Sequence, residues 1–460
     1  MTLIKSISGI RGTIGGKVNE GLTPIDAVKF ASAYGTWLKQ QSQGALKVVI
    51  GRDARISGKM ISDLVSSALI GLGIDVIDLG LSTTPTVEIA VPMEKAQGGI
   101  IITASHNPKQ WNALKLLNEK GEFISGEDGE IVLDIAEREA FDFAEVDDLG
   151  MITQNNSYLE KHIQAVLDLP IVNKAAIEAA NFSIVVDAVN STGGIFVPAM
   201  LEALGVAQIT KLYCEPTGHF PHNPEPLPEH LTDLADKINE INADIGVTVD
   251  PDVDRLALVC EDGTMFGEEY TLVAVADYVV GKTPGPTVSN LSSTRALRDV
   301  TEGYGQVYHA SAVGEVNVVT KMKAENAVIG GEGNGGVIYP ELHYGRDSLV
   351  GIALFLSLLA ERKQKVSELR DSYPKYTISK NKIQLTPEID VDKVLVKMAD
   401  KYAHQEVDTT DGVKIYIEKE WVHLRKSNTE PIIRIYSESK SAAAANVLAE
   451  RIISEIEAII

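Results

Sequence analysis

At 460 residues the chain is too long for one hydrophobic core, and its 44% hydrophobic and 23% charged residues exclude a disordered tail or a fibre, so about three or four domains are expected. The 42 basic residues against 64 acidic ones give a formal charge of -22, which excludes nucleic acid and anionic membrane as partners and leaves room for a small phosphorylated ligand in a locally basic pocket. Cys214 and Cys260 form no disulfide framework, the first residues lack the apolar core of a secretion signal, and no apolar run reaches a membrane span of ~18 residues, so the expected address is the cytoplasm.

In chain order, LKVVIGRD (Leu46 to Asp53) reads as a strand, ISGKMISDLVSSALIGLG as a helix and IDVIDLG as a second strand. The same succession of strand, polar turn, helix, glycine break and strand returns twice. FSIVVDAVNSTGG (Phe182 to Gly194) leads into IFVPAMLEALGV and ITKLYC, and PTVSNLSST (Pro286 to Thr294) into RALRDVTEGYG and QVYHAS. Each copy places hydroxyl or basic residues where a strand hands over to a helix, where free N–H groups favour anions; ordinary capping explains any single turn equally well. The C-terminal stretch differs: IQLTPEID, VKIYIEKEWVHLRKS and IIRIYSES read as strands and SAAAANVLAERIISEIEAII as an amphipathic helix, which predicts a separate α+β domain. Breaks in the periodicity set the domains at residues 1–153, 154–255, 256–368 and 369–460.

Four loops carry candidate chemistry. ITASHNPKQWNALK follows the apolar run GGIII, so Ser105 is presented at a strand end, with Lys115 as a candidate acid or base. A helix cap is the bland alternative for Ser105, and a serine hydrolase is disfavoured because no G-x-S-x-G surrounds it. In DIGVTVDPDVDR, Asp250, Asp252 and Asp254 offer three hard oxygen ligands suited to Mg²⁺. They also match three positions of a calcium EF-hand loop, with Glu261 at its twelfth, but Arg255 occupies the place that needs glycine. GGEGNGGVIYPELHYGRDS sets Glu332 among glycines without a Walker ending, which suits sugar hydroxyls rather than nucleotide phosphates. LRKSNTEPIIR gathers Arg425, Lys426, Ser427, Asn428, Thr429 and Arg434 into one basic turn, suited to a phosphate dianion or, more blandly, to solvent.

In this order the loops resemble the α-D-phosphohexomutases (phosphoglucomutases, phosphomannomutases and phosphoglucosamine mutases) over essentially the whole chain. The likeness begins at SGIRG, where Arg11 looks like an early active-site arginine, and ends at SNTEP. It implies an α/β fold of four domains around a central cleft, three similar α/β units with mixed sheets plus a C-terminal α+β domain. It further implies that Ser105 carries a phosphoryl group, that Asp250, Asp252 and Asp254 hold one Mg²⁺ against that phosphate, and that Lys115, Arg11 and Arg255 serve the transfer. His106, Glu332, Asn334, Arg425, Ser427, Asn428, Thr429 and Arg434 would bind the substrate. The implied reaction passes through a bisphosphorylated sugar, with a sugar 1,6-bisphosphate as activator, in a monomer or homodimer.

The chain departs from many bacterial members, which read Ser-Gly-His where Asn334, Gly335 and Gly336 stand; His343, Lys115 or a water would then serve in place of that histidine. The GEGNGG and YGRD runs resemble a branch often assigned to glucosamine phosphate, with mannose and glucose phosphates as alternatives. A Mg²⁺-dependent sugar phosphatase and a non-catalytic sugar-phosphate sensor are the rival classes.

Overall fold

The computed structural model describes residues 2–6, 9–42, 44–384, 389–426 and 432–459. They form two compact units, Met1–Thr271 with Gly335–Ser367, and Leu272–Asn334 with Glu368–Ile460.

The first unit holds two mixed sheets. The larger runs in the order Ile4–Ser6, Gly9–Thr13, Trp111–Leu117, Gly98–Ile102, Lys47–Arg52, Asp75–Leu81 and Ile152–Gln154. At its centre Lys47–Arg52 pairs in parallel with both Asp75–Leu81 and Gly98–Ile102, and Gly98–Ile102 pairs antiparallel with Trp111–Leu117. All of Gly98–Ile102 is buried, as befits a strand covered on both faces. Phe30, Trp37, Ile61 and Leu69 pack with Val48, Ile50 and Leu114 on one side, and Val87 and Val91 pack with Val49, Ile101 and Leu117 on the other. Glycine at 98 is required by packing, since a Cβ there would lie 2.0 Å from the Tyr34 hydroxyl. That hydroxyl donates to the Leu117 carbonyl at 2.6 Å.

The smaller sheet runs Leu256–Cys260, Ile245–Val249, Ser183–Asp187 and Gln208–Leu212, with only Leu256–Cys260 antiparallel. From the later segment, Asp347 caps the buried helix Ser348–Arg362 by accepting the N–H groups of Leu349 and Val350.

In the second unit Thr287–Asn290 pairs in parallel with Tyr308–Ser311 and Ile329–Glu332. A five-stranded antiparallel sheet follows, ordered Thr377–Gln384, Ile432–Ser439, Glu420–Lys426, Val413–Ile417 and Glu406–Asp408. Residues of the helices Val391–Lys401 and Ala442–Glu457, among them Met398, Leu448 and Ile452, share its core.

Each sequence repeat is a strand, helix and strand whose two strands pair in parallel: Lys47–Arg52 with Asp75–Leu81, Ser183–Asp187 with Gln208–Leu212, and Thr287–Asn290 with Tyr308–Ser311. The architecture is therefore α/β, with mixed sheets and a C-terminal α+β domain. One strand assignment needs correction. IQLTPEID divides, because Gln384 ends a strand, residues 385–388 lie outside the described residues, and Asp390 caps the helix Val391–Lys401 by accepting the Lys393 N–H. Among the described residues no helix is long and apolar enough to cross a membrane.

Candidate active site

The strand Gly98–Ile102 delivers Ser105, whose backbone is left-handed at φ +47°. Its hydroxyl donates to Asp250 Oδ2 at 2.7 Å and lies 3.4 Å from His106 Nδ1. Burial, then the positive charge of Arg255, holds His106 down at about 2, so that ring is neutral.

Asp250, Asp252 and Asp254 occupy the turn between the antiparallel strands Ile245–Val249 and Leu256–Cys260. The turn closes on itself: Asp250 Oδ1 accepts the N–H groups of Asp254 at 3.2 Å and Arg255 at 3.1 Å. All three carboxylates are buried, and one oxygen from each lies within 4.8 Å of the others. The EF-hand alternative fails here, because strands rather than helices flank the loop and Glu261 accepts hydrogen bonds from Ser367 instead.

Lys115 lies on Trp111–Leu117 opposite Ile101, and its Nζ reaches Asp252 Oδ2 at 2.7 Å and Asp254 Oδ2 at 3.3 Å. Thr84 donates to the same Asp252 oxygen at 2.5 Å, and Arg346 Nη2 to Asp254 Oδ2 at 2.7 Å. Burial works against the Lys115 charge, but Asp252 and Asp254 overcome it and raise the pKa. Burial likewise opposes ionisation of Asp254, yet Arg346, Lys115 and Arg255 hold it below the ordinary range. At Asp250 burial and the two neighbouring carboxylates act together and push the pKa well up.

Oδ1 of Asp252 and Oδ1 of Asp254 are buried without a hydrogen bond. Such oxygens are costly unless something positive meets them. Three converging hard donors with no soft ligand among them fit a divalent cation of the Mg²⁺ type.

Arg255 flanks this cluster, with Nε 3.9 Å from Asp254 Oδ1 and Nη1 3.6 Å from Glu225. Arg11 lies directly across from Ala113, and therefore on the sheet face shared by Lys115 two residues on. His343 is already engaged: Nε2 is 3.2 Å from Asp347 Oδ2, which also meets His162 Nε2 at 2.8 Å, and Nδ1 faces Glu88 at 3.4 Å. Of the residues weighed in place of the missing histidine, Lys115 is the one inside the aspartate cluster.

In the second unit Glu332 ends the strand Ile329–Glu332 and is buried. Its Oε1 accepts from Asn290 Nδ2 at 2.7 Å and from the Gly314 N–H at 3.1 Å, and Asn334 Nδ2 lies 3.5 Å from Oε2. Arg425 and Arg434 do not sit in the turn itself. They oppose each other in register on Glu420–Lys426 and Ile432–Ser439, and Lys382 opposes Arg434 on the next strand. Ile383, Leu424 and Ile433 face the core, so alternation sends all three cations to the other face. Asp411 pairs with Arg425 at 2.9 Å, and Lys426 turns away to Asp392. Ser427, Asn428 and Thr429 lie outside the described residues.

Models of four consecutive domains match the chain: phosphoglucomutase/phosphomannomutase α/β/α domain I over residues 4–143, domain II over 157–263, domain III over 267–376, and the C-terminal domain over 379–455. The chain belongs to the phosphoglucomutase/phosphomannomutase family. It is 36% identical to a phosphoglucomutase/phosphomannomutase of Thermococcus kodakarensis, covering 94% of this chain and 95% of that one. It is 31% identical to a phosphoglucosamine/phosphogalactosamine mutase of Sulfurisphaera tokodaii, covering 98% of each. A crystal structure of a family protein from Burkholderia thailandensis superposes with a TM-score of 0.86 at 26% identity, over 100% of this chain and 98% of that one.

This phosphohexomutase, an isomerase, surrounds its aspartates with residues that sequence reasoning missed. Thr84 and Arg346 touch Asp252 and Asp254 directly. The YGRD run contained Arg346 but gave no sign of its target. Lys382 stands in a strand-like segment with no motif and becomes visible only through register.

Proposed function

We propose that this phosphohexomutase interconverts hexose 6-phosphates and 1-phosphates, most readily those of glucosamine, with Ser105 as the phosphoryl carrier. The observation that carries this reading is the 2.7 Å hydrogen bond from Ser105 Oγ to Asp250, inside a buried carboxylate cluster that also holds Lys115.

When phosphate returns to the enzyme, Ser105 Oγ attacks the phosphorus of the bisphosphorylated sugar and its proton leaves along the bond to Asp250. The phosphorus–sugar oxygen bond breaks, and the sugar oxygen takes a proton from Lys115, which the aspartates keep in its ammonium form. The opposite half-reaction is the reverse: a sugar hydroxyl attacks phosphoserine 105 and gives its proton to the Lys115 amine left neutral by its own donation, while Oγ regains its proton from Asp250. Arg11 and Arg255 offset charge on the transferring group, and neutral His106 orients the sugar beside Ser105. One Mg²⁺ held by Asp250, Asp252 and Asp254 would, when bound, neutralise phosphoryl oxygens, including one from phosphoserine 105. Glu332 and Asn334 take the sugar hydroxyls. Arg425, Arg434, Ser427, Asn428 and Thr429 take the distal phosphate, and a sugar 1,6-bisphosphate serves as activator.

The name of the Sulfurisphaera tokodaii relative supports glucosamine phosphate, and that of the Thermococcus kodakarensis relative favours glucose and mannose phosphates as the second reading. Domain boundaries at 153, 255 and 368, a cytoplasmic address and a monomer or homodimer belong to the same proposal. The test is a panel of glucose, mannose, glucosamine and N-acetylglucosamine 1- and 6-phosphates, scored for isomer and for orthophosphate. Isomer without orthophosphate, fastest for glucosamine, is expected. Stoichiometric orthophosphate would make the protein a phosphatase, and binding without turnover a sensor.

A further inference from the structure

Arg55 has no part in the chemistry above, yet its side chain is entirely buried and all five of its N–H groups are committed. Nε donates to Asp53 Oδ2 at 2.9 Å. Nη1 donates to the carbonyls of Pro108 at 2.8 Å and Trp111 at 3.0 Å, and Nη2 to those of Ser105 at 2.5 Å and Asn107 at 2.6 Å. Four of the five bonds therefore go to the backbone of one short segment, from Ser105 to Trp111, the first residue of the next strand. Phe220 covers the guanidinium, 5.1 Å from ring centroid to Cζ.

Asp53 grips the same peptide from its other end. Its Oδ2 also accepts the Thr103 hydroxyl at 2.7 Å, and Thr103 Oγ1 in turn accepts the Ser105 N–H at 2.9 Å. Ser105 is thus held by its N–H through Thr103 and Asp53, and by its carbonyl through Arg55. A left-handed backbone is unfavourable for a residue other than glycine, and persists only where the surroundings over-determine it. Glycine would relieve that cost but supply no hydroxyl.

We propose that Arg55 is a positioning residue that holds Ser105 in its left-handed conformation, so that Oγ stays on Asp250 and the rate of phosphoryl transfer, not substrate affinity, depends on the guanidinium fork. The inference rests on Ser105 being the carrier. Lysine keeps the charge but has three donors and no fork.

Arg55→Lys is expected to lower kcat about 100-fold, the effect of a small misplacement of a reacting group, with KM within about twofold. The gain of phosphate on Ser105 from glucose 1,6-bisphosphate, followed by mass spectrometry, should slow by the same factor. A folded Arg55→Lys enzyme with wild-type kcat and wild-type phosphorylation of Ser105 overturns the inference, as does a raised KM with unchanged kcat. If that variant does not fold, the decision passes to Phe220→Leu, which leaves the fork but removes its cover. There a kcat about fivefold lower at unchanged KM is expected, and wild-type kcat overturns the inference. Phosphate appearing in the wild-type enzyme at a residue other than Ser105 overturns the carrier reading itself.

Discussion

Ser105 and Asp250 share one hydrogen bond, and the proposed transfer turns on it. Ser105→Ala removes the only atom that can carry phosphate there, so turnover should fall at least about 1,000-fold with the thermal midpoint unchanged; wild-type-like activity in a coupled isomerase assay would refute the carrier role. The Oδ1 atoms of Asp252 and Asp254, buried without a hydrogen bond, make an equally direct prediction. Chelation should abolish activity and Mg²⁺ restore it, and Mn²⁺ binding read by electron paramagnetic resonance should weaken at least tenfold in Asp252→Asn. His423 allows a test of stability. Burial holds it down at about 4 against an ordinary 6.5, while the Asp411 carbonyl and Ser292 hydroxyl bind its two nitrogens. The unfolded chain takes up this proton below its ordinary value and the folded chain refuses it, so the stability contributed by the neutral ring is complete above that value and is lost as pH falls toward the folded one. Between pH 7 and 5 the loss is about 2 kcal/mol, and urea titrations of His423→Gln should lack that part of the pH dependence.

Sheet register is what brings scattered cations together on one face. Lys382, Arg434 and Arg425 stand side by side across three antiparallel strands. Like charges directly opposite each other repel, and among the described residues the carboxylate paired with them is Asp411, on Arg425. A bound phosphate dianion would relieve the rest. Lys382→Ala is expected to raise KM about threefold to tenfold with little change in kcat, and Arg425→Ala to raise it further; steady-state kinetics with both substrate isomers decides this. Packing within an element is as exacting. In Gly98→Ala the new methyl group would meet the Tyr34 hydroxyl and the Leu117 carbonyl, which should cost about 2 to 3 kcal/mol in a denaturant titration.

At the scale of the molecule, residues 272–334 and 368–460 form one compact unit although they match two different domain models. Polar contacts tie them: Lys414 Nζ donates to the Leu291 carbonyl at 2.6 Å, Glu438 accepts the Arg295 N–H at 2.8 Å, and Asp411 accepts the Val313 N–H at 2.9 Å. A chain ended after residue 376 would leave these groups without partners. Its amides in Thr287–Asn290 and Ala296–Gly303 should lose hydrogen-exchange protection relative to the full chain, and retained protection would show that the preceding segment is stable alone.

Period-two strands, glycine breaks and the Asp250, Asp252, Asp254 spacing are local signals, and from them alone the repeated α/β units, the C-terminal α+β domain and the three carboxylates were legible. Tertiary structure decided what meets them. Thr84 reaches Asp252 across 168 residues and Arg346 reaches Asp254 across 92, contacts that no local pattern encodes. Lys382 joins the arginines only because strand register places it there, and a one-residue slip would turn its side chain to the core. Chain geometry writes the strands, whereas long-range pairing chooses which buried charges come together.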